Sequence, residues 1–297
     1  MVAIAARNSA RARAFASRHG IPRVHESYQA VLDDSEVDAI YNPLPNSLHG
    51  EWTIRALKAG KHVLCEKPLA NNAGEAQRMA AAADESGRVL VEAFHYRYHP
   101  LALRMKEIVD SGELGEVRHL EAHFCVPLIN PRDIRYRYEL GGGATMDLGC
   151  YCINLIRYLA GAEPEVTHAH ARLASAQIDR FMEADFRFPN GSTGRMVCSM
   201  FSLAFLRVGA IVRGTKAELR VSGPYQPHRY HRLEVRSGNS VRVEHCSRES
   251  TYTYQLRAFV AAVRGKPELC IGLADAIGNM RVIDAVYEKA GLKPRGC

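Results

Sequence analysis

Short apolar runs alternate with longer amphipathic stretches over the first third of the chain. Residues 1–7 (MVAIAAR), 37–41 (VDAIY), 61–65 (KHVLC) and 88–93 (RVLVEA) each read as a buried strand. A strand covered on both faces shows a near-continuous apolar run instead of alternation. Helices lie between them. Asn8 and Ser9 can cap a segment whose Ala12, Phe15 and Ala16 form one stripe, and Gly20 with Pro22 ends it. Residues 28–32 predict a helical turn, 47–59 a helix closed by Gly60, and 72–86 an alanine-rich helix. Strand and helix in this alternation predict a parallel sheet with crossover helices.

From about residue 96 the pattern changes. Residues 100–110 predict a helix, 117–126 alternate like a strand, Gly141-Gly142-Gly143 reads as a flexible loop, and 147–159 predict a helix ended by Gly161. Strand-like runs follow at 166–173, 181–188, 194–201, 206–213, 217–221 and 232–243. Turn residues such as Pro189-Asn190-Gly191 and Ser237-Gly238-Asn239 join them, which predicts hairpins in an antiparallel sheet. Helices at 252–264 and 273–290 close the chain. The expected class is α/β. A Rossmann-type nucleotide-binding domain spans residues 1–95, and an α+β domain with a large open, mainly antiparallel sheet spans 96–297.

One part of the first domain is missing from the sequence. A dinucleotide-binding fold opens with a strand, a G-x-G-x-x-G turn and a helix whose amino end faces the pyrophosphate. No such motif is present, and Gly141-Gly142-Gly143 comes too late. The chain begins on what reads as the second strand, so roughly 30 residues, one βαβ unit, are expected ahead of Met1.

Composition narrows the function classes. Hydrophobic content of 47% and charged content of 24% over 297 residues are those of a soluble globular protein. No run approaches the ~18 apolar residues of a membrane span, and no secretory signal pattern opens the chain. The eight cysteines are scattered, and Cys150-x-Cys152 does not share a helical face, so free thiols in a reducing cytoplasm are expected. The formal charge is +7, but the basic residues are dispersed, which argues against nucleic acid and leaves room for an anionic ligand.

Chemistry is expected at the carboxyl ends of the first-domain strands. Lys67 follows the 61–65 strand and precedes Pro68, which biases it to extended geometry. Arg7 follows the first strand, where an arginine accommodates a 2′-phosphate and an acidic residue binds a ribose hydroxyl. It reads equally as a surface arginine at a helix start. Asp147 and Tyr151 are four apart and share a helical face. Asp147 also reads as a helix cap, and Tyr151 as a core tyrosine. A lysine near a phenol lowers its pKa, and a phenol so tuned can donate a proton to a carbonyl oxygen. His95 and His99 are four apart, but Pro100 breaks a shared helix, so no metal site is expected.

Lys61-His62-Val63-Leu64-Cys65-Glu66-Lys67-Pro68, with Gly141-Gly142-Gly143 leading into Asp147 and Tyr151, resembles the glucose–fructose oxidoreductase, inositol dehydrogenase and rhizopine-catabolism (Gfo/Idh/MocA) family. Ala5-Ala6-Arg7, Glu92-Ala93-Phe94 and Arg213-Gly214-Thr215-Lys216 look closest to its dimeric dihydrodiol dehydrogenase and xylose dehydrogenase branch. The resemblance implies hydride transfer between NADP (or NAD) and a sugar, polyol or vicinal-diol oxygen. By it, Lys67 orients that oxygen, Tyr151 is the proton donor where many relatives carry histidine, and Asp147 positions substrate or lysine. Arg7, Leu44, Asn46, His49, Glu66 and Lys67 would line the cofactor groove, and the open sheet would form a homodimer face. Arg97, Tyr98, His123, Arg135 and Tyr136 are candidates for substrate recognition. The absent glycine-rich unit leaves two expectations: a misassigned start, or a truncated, non-catalytic binding or dimerising module.

Overall fold

The computed structural model describes residues 1–201, 206–266 and 271–296. Along the first third run β1 (Ala3–Ile4), α1 (Ser9–His19), β2 (Arg23–Val24), α2 (Tyr28–Asp33), β3 (Ala39–Asn42), α3 (His49–Lys58), β4 (His62–Cys65), α4 (Ala73–Ser86) and β5 (Leu90–Glu92). The capping of α1 is as expected: Asn8 accepts a hydrogen bond from the Arg11 N–H, and Gly20 ends the helix in the left-handed conformation. Asn72, read as the first helical residue, caps α4 by accepting the Glu75 N–H. β3, β4 and β5 pair in parallel, in that order, with Asn42 beside Cys65 and Cys65 beside Glu92. Their carboxyl ends therefore open along one edge.

The expected strand over residues 1–7 is corrected. Only Ala3–Ile4 pairs, in parallel with Arg23–Val24, and this pair is not hydrogen-bonded to the β3–β5 sheet. Both residues are half-buried, so the run lacks the two-sided cover its composition implies. The partner strand β2 was not expected, since two residues cannot display a period.

α5 (Pro100–Asp110) leads into the larger sheet, formed by β6 (Val117–Cys125), β7 (Glu165–Ser175), β8 (Ile178–Arg187), β9 (Thr193–Ser199), β10 (Val208–Gly214), β11 (Glu218–Ser222), β12 (Arg232–Ser237) and β13 (Ser240–Glu244). Its order is β13-β12-β11-β10-β6-β9-β8-β7, antiparallel except for the parallel β6–β9 pair. The expected run over 232–243 is a hairpin of two strands turning at Gly238. Leu120, Ala122, Met182, Ala184, Met196, Cys198, Ala210 and Val212 line the buried face. The other face carries alternating charge, including Glu183–Arg195 at 2.8 Å and Arg213–Glu218 at 3.0 Å.

α6 (Cys150–Ala160) lies in the core and is closed by left-handed Gly161. α7 (Thr251–Val263) and α8 (Leu273–Lys289) complete the fold. One hydrophobic cluster joins Leu57 and Val63 beneath the small sheet to Leu120, Ile153 and Met280 beneath the large one.

Candidate active site

The tips of β3 and β4 are tied together before any ligand is considered. His49, fully buried at the start of α3, places its Nε2 2.7 Å from the Leu44 carbonyl and its Nδ1 2.9 Å from the Pro68 carbonyl. Burial pushes the imidazole pKa down, and the two carbonyls pull the other way. The turn after Lys67 is held from below by Glu92, whose Oε1 accepts the Leu69 N–H at 2.7 Å. Glu92 Oε2 is buried without a partner, and burial raises this carboxyl to about 8.

The sign of that shift is testable. Between the ordinary glutamate value and about 8 the folded state holds a proton that the unfolded state has lost, so stability falls as pH rises through this window and levels off above it. Glu92→Gln is expected to flatten the decline in melting temperature between pH 5 and 9. A variant with the parental slope contradicts a protonated Glu92.

The second wall comes from residues 134–147. Gly141, Gly142 and Gly143 are buried, which corrects the expected flexible loop. The Gly142 and Gly143 N–H groups donate to the Arg137 and Arg135 carbonyls at 2.9 Å each. Gly143 has φ +128°, and a Cβ there would run into Asp179, Arg295 and Tyr287. The expected helix over 147–159 opens earlier, as a wide turn over Thr145–Gly149 that runs into α6. Asp147 does not cap it. Asp179, reaching across from β8, accepts both the Thr145 N–H and its hydroxyl at 2.7 Å.

Asp147 is thereby available for Lys67. The ammonium donates to the Asp147 carbonyl at 2.9 Å and to Oδ1 at 3.0 Å, while Arg135 Nε donates to Oδ2 at 2.7 Å. Burial opposes charge on both partners of the Lys67–Asp147 pair, and their mutual attraction outweighs it. Lys67 is held above its ordinary value, and Asp147, with Arg135 adding to the pull, below its own. Lys67 is an ammonium at every physiological pH. An ammonium has three N–H donors, and Asp147 takes two.

Tyr151 stands in the first turn of α6, with Lys67 Nζ 4.9 Å from its ring centroid. The expectation that Lys67 lowers this phenol's pKa is corrected. Asp147 takes two of the ammonium's donors, and burial pushes the Tyr151 pKa well up. Phe94, Phe124 and Tyr225 pack around the ring at centroid distances of 5.2, 5.5 and 5.4 Å. Its hydroxyl lies 3.3 Å from His95 Nε2, a neighbour that sequence reasoning weighed only as a metal ligand.

A cleft of about 220 Å³ opens between these walls. Leu44, Asn46, His49, Glu66, Lys67 and Asp147 line it, joined by Arg135 and the three glycines. Asn46 bridges the walls by donating to the Gly141 carbonyl at 2.9 Å. Glu66 accepts the Tyr41 hydroxyl at 2.7 Å. Arg7 is exposed at the start of α1 and does not line the cleft.

The recognition candidates divide. Arg135 is in the cleft. Arg97 is packed on Tyr158 at 3.7 Å and bonded to Asn154 at 3.1 Å, Tyr98 is buried, and Tyr136 donates to the Leu128 carbonyl. His123 lies on the charged face of the large sheet, 3.2 Å from Glu121. His99 accepts the Leu101 N–H at the start of α5, and among the described residues no group of His, Cys, Asp or Glu could hold a metal.

Residues 1–94 match the GFO/IDH/MocA oxidoreductase family with an NAD-binding Rossmann fold, and residues 102–220 match the GFO/IDH/MocA C-terminal domain. A D-xylose 1-dehydrogenase (NADP(+)) of Haloferax volcanii is 34% identical over 97% of this chain and 89% of its own. The chain belongs to the GFO/IDH/MocA oxidoreductase family. An uncharacterised oxidoreductase of Rhizobium meliloti is 38% identical over 98% of this chain and 89% of its own. A 3-ketoreductase from Actinomadura kijaniata, crystallised with NADP and TDP-benzene, superposes with a TM-score of 0.90 at 30% identity, over 97% of this chain and 89% of its own. That enzyme has also been crystallised with a lysine replaced and with a tyrosine replaced. The chain is therefore an oxidoreductase with an NAD(P)-binding Rossmann domain.

Proposed function

We propose that the protein transfers a hydride between NADP and a carbonyl or hydroxyl carbon of a sugar, polyol or vicinal diol. Lys67 orients the reacting oxygen and Tyr151 exchanges its proton. The observation that carries this reading is the Lys67–Asp147 pair at the floor of the cleft, which leaves one ammonium donor for a substrate oxygen. The relatives named for D-xylose and for a 3-keto sugar nucleotide support the substrate class. The lysine and tyrosine replaced in the Actinomadura enzyme are separated by the same number of residues as Lys67 and Tyr151.

The cleft suits a nicotinamide and its ribose. Leu44, Ile134 and Leu140 offer apolar surface to a flat ring, while Asn46 and Glu66 offer polar groups to the ribose. Bound there, the nicotinamide supplies or accepts the hydride. The chain's own residues supply the rest. Lys67 holds the oxygen and favours negative charge on it. Tyr151, kept un-ionised by burial, is suited to giving a proton in the direction of carbonyl reduction. Asp147 keeps the lysine charged and fixed, and Arg135 keeps Asp147 from turning away.

Arg7, exposed beyond β1, is proposed to meet the 2′-phosphate of NADP. The test is a fluorescence titration with NADPH and with NADH. Arg7→Ala is expected to weaken NADPH about ten-fold, near 1.4 kcal/mol, and to leave NADH unchanged. Equal loss for both removes Arg7 from this role. No binding of NADPH at millimolar concentration replaces the enzyme reading with the non-catalytic one. The charged face of the large sheet is proposed as a homodimer surface, checked by light scattering, and the buried free thiols fit a cytoplasmic location.

A further inference from the structure

His95 is nine-tenths buried and more, between Tyr151 on α6 and Tyr252 on α7, whose ring centroid lies 4.3 Å away. Its Nε2 is 3.3 Å from the Tyr151 hydroxyl, and its Nδ1 is buried with no hydrogen-bond partner. A residue serving only to fill this aromatic cluster would be a phenylalanine. An imidazole there carries an orphaned nitrogen, which costs stability. That cost calls for a use of the other nitrogen.

We propose that His95 is a positioning residue for Tyr151, its Nε2 deciding where the phenol's one proton points and staying bonded to the oxygen when that proton leaves. The inference rests on the reading of Tyr151 as the proton donor. With hydrogen on Nδ1, Nε2 accepts the phenol proton, and the hydroxyl is turned away from a carbonyl oxygen held by Lys67. With hydrogen on Nε2, the imidazole donates to the phenol oxygen and the phenol proton is released towards that carbonyl. As the phenol O–H bond breaks and an O–H bond forms on the substrate, the phenolate keeps the Nε2–H hydrogen bond. The role needs a neutral imidazole that carries its hydrogen on Nε2. Burial, with the charges of Lys67 and His228, holds its pKa down to about 3.

The test compares His95→Phe, His95→Gln and Tyr151→Phe, each confirmed as folded by its melting curve. Ring-labelled tyrosine NMR reads the Tyr151 Cζ shift directly and needs no substrate. His95→Phe is expected to move that resonance, and His95→Gln, whose amide can also accept and donate, to return it towards the parental position. Turnover of D-xylose with NADP is expected to fall about ten-fold in His95→Phe through kcat, and to stay within about three-fold in His95→Gln. An unmoved Cζ resonance in His95→Phe, or equal loss in the phenylalanine and glutamine variants, overturns the inference. A Tyr151→Phe variant as active as the parent overturns the proton-donor reading instead, so the two failures are distinguishable.

Discussion

Replacing Lys67 with methionine is expected to cut turnover by about 100- to 10,000-fold while NADPH affinity changes by less than about three-fold. Methionine keeps the length and apolar stem but removes the charge and all three donors. The cofactor-facing walls do not depend on that charge. His49 still ties Leu44 to Pro68, and Asn46 still reaches the Gly141 carbonyl. Asp147 keeps Arg135 as a partner at 2.7 Å, so a stranded carboxylate does not confound the result. What disappears is the donor left over for the substrate oxygen. Steady-state kinetics alongside a cofactor titration make the measurement. Turnover preserved in Lys67→Met shows that another group holds the oxygen, and lost NADPH binding shows that Lys67 belongs to the cofactor groove.

The second large effect lies away from the cleft. Arg295, fully buried near the end of the described chain, donates from Nε to the Gly142 carbonyl at 2.7 Å and from Nη2 to Asp179 at 3.0 Å. Tyr287 donates to the same carboxylate oxygen at 3.0 Å and lies beneath the guanidinium at 4.1 Å. The Arg295 carbonyl accepts from Asn72, the cap of α4. One residue thus links the glycine loop, the start of the segment carrying Asp147 and Tyr151, and the helix behind Lys67.

Arg295→Met is expected to cost about 3–5 kcal/mol, because it strands Asp179 as an unpaired buried carboxylate. By calorimetry the melting temperature should fall by roughly 6–15 °C. Burial already raises the Asp179 pKa against the pull of Arg295, and without Arg295 it rises further, so the folded state holds a proton that the unfolded state gives up near the ordinary aspartate value. The variant should therefore recover stability as pH falls from 7 towards 4. Asp179→Asn in the same background should restore part of the loss. A single variant melting within about 2 °C of the parent refutes this account.

How far the sequence reaches can be judged on particular residues. The β4 run and its stop at Glu66-Lys67-Pro68 were readable, because a doubly covered strand must be apolar throughout and proline must interrupt it. That Asp147 and Tyr151 lie on successive turns of one helical segment was readable from their spacing. The partner of Lys67 was left open: the residues alone set the lysine beside the phenol, and the resemblance had Asp147 position either substrate or lysine. In the fold the ammonium meets that carboxylate at 3.0 Å, where opposite charge attracts more strongly than a ring. His95 looked like half of a weak metal pair because its true neighbours, Tyr151 and Tyr252, lie on two helices far along the chain. Asp179 and Arg295 carried no local pattern at all.

By itself the sequence determined where most strands and helices lie, which strand end presents Lys67, and the family resemblance with its nicotinamide chemistry. Those properties come from periodicity, capping and short motifs, all of which act over a few residues. Only the tertiary structure decided that Lys67 is held by Asp147, that Tyr151 is un-ionised and bonded to His95, and that a distant arginine pins the glycine loop. Those depend on contacts between residues tens to more than a hundred positions apart, and on the burial that sets their charge.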